Sequence, residues 1–406
     1  MPQSRKNRIK VNKERLWQHL RVLCEEIGPR LSGTPGDERA VEYMAGHMRR
    51  CGAEVEVQDY ACPAWEHGLT ELALIGPGGP ERLPAVAQTF TRGCDVEAEL
   101  AGVGSQEELE LAPGLDGKVL VFHGRIVSNL TADRNPLLLA AEERRAAALI
   151  VVSPREAVAT KFIRDPFLQV PAAAVADSVG RRLLASDGRR LRLRISARRY
   201  DSTGHNVIGR LRGEEPGHIA VAAHYDSAAD VPGASDNASG TAVLLELCEL
   251  FGAAARPRLG IHFIAYGAEE YGRSGHGCLG PVEYVRRHPE EVAQARAVIE
   301  PDFVGTAALP ARVTVMGFTG SQKDELLAVL ARFPRCQVTV RPEGEKVGTT
   351  FDLTGAPALL FVNEFEKAPI HTAQDSINLL SPEEMAYAAE VEAAVLQHLS
   401  GSRVSA

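Results

Sequence analysis

Paired cysteines are missing from this chain of 406 residues. Its seven cysteines are odd in number, lie far apart and include no Cys-x-x-Cys pair. This pattern argues against a disulfide framework and is typical of reduced thiols in a cytoplasm. We therefore interpret the cysteines as small core residues and predict a cytoplasmic location.

Long apolar runs and an excess of basic residues are also missing. We find no stretch that predicts a transmembrane segment, and the basic start MPQSRKNRIKVNKERLWQHL has no apolar core, so we expect no secretory signal. The formal net charge of −8 disfavours a nucleic-acid partner. We expect small or neutral partners, and neither nucleic-acid nor membrane binding.

The order of segments predicts the fold class. From about residue 200 onward, strand-like and helix-like segments alternate, which is typical of an α/β fold with a mixed, mostly parallel central sheet flanked by helices. Residues 68–199 contain short strands and turns, and we predict that they form a smaller inserted α/β module. Residues 1–67 and 200–406 would then form the main domain, in keeping with a length that predicts two or three domains.

Ionisable side chains follow four of the predicted strands. They are His224, Asp226, Glu269, Glu270, Glu300, Asp302, His371 and Asp375, and Asp236 lies in a loop before a further helix. Ligands of open α/β sheets bind at the carboxyl ends of the strands. We therefore expect these side chains to meet at one edge of the sheet.

This much negative charge at one edge indicates a bound cation. Carboxylates that converge repel one another unless a positive charge lies among them. Mixed imidazole and carboxylate ligands are typical of zinc, with cobalt or manganese as alternatives. One catalytic zinc uses about three protein ligands, so the larger set here predicts two metal ions bridged by one carboxylate.

Each of these residues taken alone also fits an ordinary structural role. Asp236 fits a helix cap, and the neighbouring glutamates fit solvated loop charges. His224 fits a core histidine, and His371 fits a surface loop residue. Independent structural roles do not predict that all of them occur at strand ends, and their joint occurrence favours a metal centre.

Four motifs in this order resemble a known family. They are HYDSAADVPGASDNASG, AYGAEEYGRSG, IEPDFVG and PIHTAQDS. They look like the motifs of the co-catalytic di-zinc aminopeptidases, a family that includes bacterial leucine aminopeptidases and, more distantly, glutamate carboxypeptidase and the transferrin receptor. The likeness covers about residues 12–67 and 200–400, and DGKVLVFHG through GRRLLAS resembles the protease-associated domain that is often inserted there.

The resemblance implies a ligand set. By this likeness, His224 and Asp302 hold one zinc ion, Glu270 and His371 hold the other, and Asp236 bridges them. Such an enzyme removes one residue from peptides that have a free N-terminus.

The resemblance also implies catalytic roles. Glu269 would act as the general base towards a metal-bridged hydroxide. Asp226 and Asp375 would accept hydrogen bonds from the two histidine ligands and so orient their rings.

Two positions depart from the family pattern. Ile370 stands where the family commonly has a tyrosine that stabilises the oxyanion, so Tyr225, Tyr266, Tyr271 or the zinc ions alone would have to serve. Asp352 is displaced from its usual place before the Gly-x-Pro turn, which affects substrate contacts and not metal binding.

Three other functions stay open at this point. A carboxypeptidase or dipeptidase of the same fold would need a cation to hold the substrate carboxylate, and Arg273 is the only arginine close to the motifs. A glutaminyl cyclase resembles the fold but uses one zinc ion. A binding homologue without activity would have no reason to keep the ligand set. The sequence decides neither the oligomeric state nor the preferred side chain of the substrate.

Overall fold

The structure is a computed structural model that describes residues 9–130, 135–270, 278–342, 355–363 and 368–402. Three residues singled out above, Tyr271, Arg273 and Asp352, lie outside these ranges.

Polar side chains cap the starts of several helices. The helices are α1 (Lys13–Arg21), α2 (Pro35–Arg50), α3 (Gln106–Leu111), α4 (Pro136–Glu143), α5 (Asp177–Leu184), α6 (Ser239–Gly252), α7 (Leu279–Arg287), α8 (Pro289–Gln294), α9 (Gly320–Leu330) and α10 (Pro382–Ser400). The Asn12 side chain accepts the first backbone N–H groups of α1, and Ser381 accepts that of Glu384 at the start of α10. Gly401 ends α10 in the left-handed conformation that glycine adopts at low cost.

The strands form one connected set of pairs. They are β1 (Glu54–Gly76), β2 (Gly79–Leu83), β3 (Val86–Ala87), β4 (Cys94–Val103), β5 (Val119–Phe122), β6 (Ala148–Val152), β7 (Ala172–Val175), β8 (Arg190–Leu211), β9 (Glu215–His224), β10 (Leu259–Tyr266), β11 (Ala295–Pro301), β12 (Arg312–Met316), β13 (Gln337–Val340) and β14 (Ala358–Phe361). Their order is β13-β12-β14-β11-β9-β10-β8-β4-β5-β6-β7-β3, with β1 paired to β8 and β2.

The part of the sheet that carries the strand-end motifs is parallel. β9 pairs in parallel with both β10 and β11, and β11 pairs in parallel with β14. Helices cover both faces, so the strand HIAVAAH is buried throughout, as expected for a parallel strand inside an α/β fold. The predicted fold class, a mostly parallel sheet flanked by helices, is confirmed.

Two long strands run through both predicted units. The boundaries expected near residues 67 and 199 fall inside β1 and β8, which pair along almost their whole length with a register shift between His67 and Thr70. A separate apolar cluster around Leu120, Phe122 and Leu149 covers one face of the inserted strands. The division into a main domain and an inserted module stays a prediction.

The arginines that alternate along β8 form a charged outer face. Arg190, Arg192 and Arg194 pair with acidic side chains of β4 and β1 at 2.9 to 3.1 Å, while the leucines between them are buried. This is the solvated face that the alternation predicts.

No helix of the described residues is long and apolar enough to cross a membrane.

Candidate metal centre

The carboxyl ends of four neighbouring parallel strands lie side by side at one edge of the sheet. β9 ends at His224, the segment after β10 carries Glu269 and Glu270, β11 is followed by Asp302, and the segment after β14 leads to His371. Because these strands are adjacent and run in the same direction, their ends lie side by side. The structure brings together the residues that the sequence singled out.

Asp236 lies at the centre of this cluster. Its Oδ1 is 3.1 Å from His224 Nε2, and its Oδ2 is 2.9 Å from His371 Nε2. Asp302 Oδ1 lies 3.5 Å from the same His224 nitrogen, and Glu270 Oε2 lies 3.5 Å from that of His371. Two groups of three possible ligands therefore share Asp236, and within each group the ligand atoms lie within 4.8 Å of one another.

The buried carboxylates of this cluster favour positive charge. Burial would lower the pKa of His224, but the carboxylates of Asp226, Asp236 and Asp302 raise it well above the usual value. Burial would raise the pKa of Asp236, but hydrogen bonds from His224 and His371 hold it well below the usual value. The carboxylates of this cluster therefore depend on nearby positive charge, which a bound cation would also supply.

The donor set fits a divalent metal. The Asp302 Oδ1 atom is buried and has no hydrogen-bond partner among the described residues, although it lies next to a histidine nitrogen. A buried carboxylate oxygen without a partner is costly unless a ligand completes it. Oxygen and nitrogen donors that converge in this way suit zinc or a similar ion.

The loop before α6 holds Asp236 by its neighbours and not by helix capping. Ala238 is the residue before α6 and that helix has no side-chain cap, while both Asp236 oxygens face histidines, so the helix-cap alternative is wrong. Asn237 donates to the carbonyl of Pro301 at 3.0 Å and accepts from the N–H of Phe303 at 3.2 Å. These bonds link the Asp236 loop directly to the segment that carries Asp302.

Asp375 supports the same loop. It accepts hydrogen bonds from the hydroxyl and the N–H of Ser235 at 2.5 and 2.8 Å and from the N–H of Asp236 at 3.2 Å. The sequence predicted that Asp375 would orient His371. The hydrogen bonds to its oxygens instead position Asp236, because the backbone donors of this loop point at the carboxylate.

Asp226 connects His224 to the two glutamates. Its Oδ1 lies 3.5 Å from His224 Nδ1, and its two oxygens accept the N–H groups of Glu269 and Glu270 at 3.2 and 3.0 Å. One fully buried carboxylate therefore holds both a candidate ligand and the turn that carries the candidate base. Ala268, just before this turn, has a φ of 54°, a strained conformation of the kind often found at functional sites.

Glu269 and Glu270 differ in exposure. The Glu270 side chain is 1% exposed and accepts the N–H of Ala228 at 3.1 Å, whereas the Glu269 side chain is 25% exposed. The view of both as solvated loop charges is therefore wrong. Burial would raise the pKa of Glu269, but Lys161 and His224 lower it to about 2. Burial raises the pKa of Glu270 to about 6 against the effect of Lys161.

Lys161 is a member of the site that the sequence analysis missed. Its ammonium group contacts Glu270 Oε2 and lies 3.5 Å from Glu269 Oε2, and its side chain is 6% exposed. The neighbouring Thr160 donates its N–H to the carbonyl of His371 at 2.9 Å. Only the tertiary structure could reveal this residue, because about 100 residues of chain separate it from the motifs it contacts.

Two of the tyrosines proposed as oxyanion donors have other partners. The Tyr225 hydroxyl donates to Asp37 at 2.5 Å, and the Tyr266 hydroxyl donates to Glu300 at 2.7 Å. Both side chains are buried. Neither hydroxyl therefore replaces the oxyanion donor that the family's tyrosine would supply in place of Ile370.

Known peptidases are similar to this chain in sequence. Residues 206–396 match the sequence model of peptidase family M28. Aminopeptidase YwaD of Bacillus subtilis (strain 168) is 28% identical over 300 residues, which make up 72% of this chain and 62% of that protein. Carboxypeptidase Q of Homo sapiens is 26% identical over 418 residues, 94% of this chain and 84% of that protein.

Solved structures share the fold. The structure of a zinc aminopeptidase from Bacillus subtilis superposes with a TM-score of 0.79 and 23% identity, covering 98% of both chains. At this identity the likeness concerns the fold alone, and it matches the predicted architecture. The matched residues 206–396 contain all four strand-end motifs, and this similarity to peptidase family M28 confirms the predicted metallo-exopeptidase class.

Proposed function

We propose that this chain is a zinc-dependent aminopeptidase that hydrolyses the N-terminal peptide bond of peptides. The observation that carries this proposal is the position of Asp236, whose two oxygens face His224 at 3.1 Å and His371 at 2.9 Å. A carboxylate between two imidazoles is the arrangement that a bridging ligand requires. Zinc is favoured by the donor types and by the name of the similar Bacillus subtilis enzyme.

Two ions would be held by five side chains. His224 and Asp302 would hold the first ion, Glu270 and His371 would hold the second, and Asp236 would bridge them. When bound, zinc would supply positive charge that polarises the scissile carbonyl and lowers the pKa of water. Asp226 would orient His224 and fix the backbone of Glu269 and Glu270 at the same time.

Glu269 is the residue we propose as the general base. Its side chain is 25% exposed, so it can reach a water molecule, accept its proton and return that proton to the leaving amine. Cys278 donates to its Oε1 at 3.3 Å, and Lys161 lies near its Oε2, so both oxygens are held in place. Glu269 and Asp302, at 25% and 37% exposure, would present negative charge to the substrate's α-amino group.

Metal analysis combined with a substrate panel tests the proposal. We expect the purified enzyme to bind about two zinc ions per chain at this centre, and Asp236→Asn to lose both. We expect cleavage of dipeptides and amino-acid anilides with a free amino group, and none when that group is acetylated. Equal cleavage of acetylated substrates would overturn the aminopeptidase assignment. Cyclisation of N-terminal glutamine, or no turnover with zinc bound, would favour the cyclase or the inactive homologue.

A second candidate function is supported by Lys161. This buried ammonium lies beside the two glutamates, and a cation of this kind can hold the carboxylate of a short substrate. The sequence disfavoured carboxypeptidase or dipeptidase action because Arg273 was the only arginine close to the motifs. The similarity to carboxypeptidase Q over 94% of this chain adds to this reading.

A comparison of dipeptides with dipeptide amides separates the two candidates. If Lys161 holds the substrate carboxylate, Lys161→Gln should raise KM for free dipeptides tenfold or more and leave KM for the amides unchanged. The exposed Lys10→Gln serves as the matched control. An equal change of KM for both substrates would remove Lys161 from this role.

We also propose that residues 68–199 form a protease-associated-like module that restricts access to the site. Support comes from the contacts between the segment after β6 and the segment that carries His371. Arg155 donates to the carbonyl of Ala368 at 3.1 Å, and Thr160 donates to that of His371 at 2.9 Å. A module held this way would limit substrate length.

A further inference from the structure

A second cluster of possible metal ligands lies between α2 and α6, away from the strand ends. His47 lies in the last turn of α2, Cys51 directly follows that helix, and Cys248 and Glu249 lie near the end of α6. Ten residues of helix, a length of about 15 Å, separate Glu249 from Ser239 at the start of α6. The cluster is therefore distinct from the centre around Asp236.

Three donor atoms of this cluster form a nearly regular triangle. Cys51 Sγ lies 3.4 Å from His47 Nε2 and 3.1 Å from Glu249 Oε2, and the last two atoms are 3.8 Å apart. Tetrahedral zinc with ordinary bond lengths to sulfur, nitrogen and oxygen requires ligand separations of about 3.4 to 3.6 Å. A single ion can therefore contact all three atoms with shifts of a few tenths of an ångström.

Cys248 lies beside this triangle and supports the thiolate form of Cys51. Its side chain is fully buried. The Cys248 thiol, together with His47 and against the effect of burial, lowers the pKa of Cys51 to about 6. The thiolate, which is the form that binds metals, is thus favoured near neutral pH.

The surroundings provide both enclosure and access. His47 and Cys51 are 6% and 8% exposed, whereas the Glu249 side chain is 38% exposed and marks the side from which an ion can enter. Arg15 Nη1 lies 3.7 Å from the other Glu249 oxygen and holds that carboxylate in place. His47 Nε2 also lies 3.2 Å from the carbonyl of Leu245, so binding would need its proton on Nδ1 instead.

We propose that His47, Cys51 and Glu249 form a structural site for one zinc ion or a similar thiophilic divalent cation. These ligands join α2 to α6 away from the strand ends, so this ion stabilises the packing of α2 against α6 and takes no part in hydrolysis. The helix that this ion would anchor is the one whose first residues follow Asp236.

Cobalt titration of the full chain tests this site by a signal that the catalytic centre cannot give. A cysteine thiolate bound to Co²⁺ produces a charge-transfer band in the near ultraviolet, whereas the ligands proposed around Asp236 carry only nitrogen and oxygen. We expect reduced, metal-stripped protein to develop this band with one equivalent of Co²⁺, and Cys51→Ser to lose it. Cys336→Ser, another buried cysteine outside the cluster, should keep it.

A milder variant keeps the test valid if Cys51→Ser does not fold. Glu249→Gln retains the size of the side chain, and we expect it to weaken Co²⁺ binding at this site at least tenfold while the circular dichroism spectrum is unchanged. A wild-type protein without the band, a band that persists in Cys51→Ser, or loss of two titratable thiols by oxidation in place of metal binding would overturn the proposal.

Discussion

At the scale of single residues, the candidate base and its neighbour show how much environment decides. Glu269 and Glu270 are adjacent in sequence, yet one is partly exposed beside Cys278 and the other is buried against Ala228. The paired glutamates alone do not tell which is the ligand. Their different surroundings support Glu269 as the base and Glu270 as the ligand.

Removing the charge of Glu269 should separate catalysis from metal binding. We expect Glu269→Gln to retain wild-type metal content and to lower kcat by a factor of about 10² to 10⁴, because an amide cannot accept the proton of water. Steady-state kinetics and elemental analysis of the same preparation check this. Glu290→Gln, an exposed glutamate on α8, is the matched control. Wild-type turnover in Glu269→Gln would remove this residue from the mechanism.

His218 is expected to make the protein sensitive to acid. Burial, aided by the stacked His262 ring 3.7 Å away, lowers the pKa of His218 to about 3. In the unfolded chain this group takes up a proton near its ordinary pKa of 6.5, so between these values the unfolded state binds more protons. The free energy of unfolding should therefore fall as the pH drops from about 6.5 towards 3, by up to about 1.4 kcal/mol per pH unit for this residue.

Replacing the ring tests this effect. His218→Phe keeps an aromatic side chain against His262 but cannot be protonated. Urea unfolding of both proteins at several pH values should show a shallower acid slope in the variant. Some slope will persist, because burial also lowers the pKa of His19 to about 3. An identical slope in both proteins would contradict the prediction.

At the scale of elements, the loops between strands and helices carry the site, and buried polar side chains hold the loops. Arg30 is completely buried and donates to five backbone carbonyl groups. Its acceptors are the carbonyl groups of Leu23, Gly28, Tyr225, Pro232 and Gly233. One guanidinium group therefore fixes the segment that joins β9 to the Asp236 loop.

We expect Arg30→Met to lower the free energy of unfolding by at least about 3 kcal/mol, because several buried carbonyl groups would lose their donor. Metal content should fall as well, since the loop that carries Asp236 loses its support. Urea unfolding and elemental analysis measure both effects. The control is Arg198→Met, whose side chain is 67% exposed and pairs with Glu66 on the surface. A loss no larger than in that control would contradict the prediction.

At the scale of the whole molecule, charge at the sheet edge links metal content to stability. The carboxylates of Asp236, Glu270 and Asp302 come from segments far apart along the chain, so their repulsion opposes folding when no cation is bound. Any ion that binds only the folded state also stabilises it by mass action.

Chelation should therefore lower the thermal midpoint and abolish hydrolysis together, and added zinc should restore both. Calorimetry and activity measured on the same samples before and after dialysis test this. Asp236→Asn should show a smaller shift of the midpoint, because only the ion proposed between α2 and α6 would remain to be removed. A shift of equal size in Asp236→Asn would show that ions at the strand ends do not stabilise the protein.

The alternation of strands and helices determined the α/β class, and the motifs at the strand ends determined the residues of the candidate site. Both are local properties, because a parallel strand must be apolar along its length and its end must be polar where a ligand binds. Helix caps such as Asn12 and Ser381 were predictable for the same reason.

Only the tertiary structure decided what approaches the site from elsewhere in the chain. Lys161 reaches the glutamates from the inserted segment, Asp375 supports the Asp236 loop and not His371, and two tyrosines turn to other carboxyl groups. Such contacts join residues that are distant along the chain, and no periodicity or spacing encodes them. Their geometry follows from how the sheet, the loops and the inserted strands pack together.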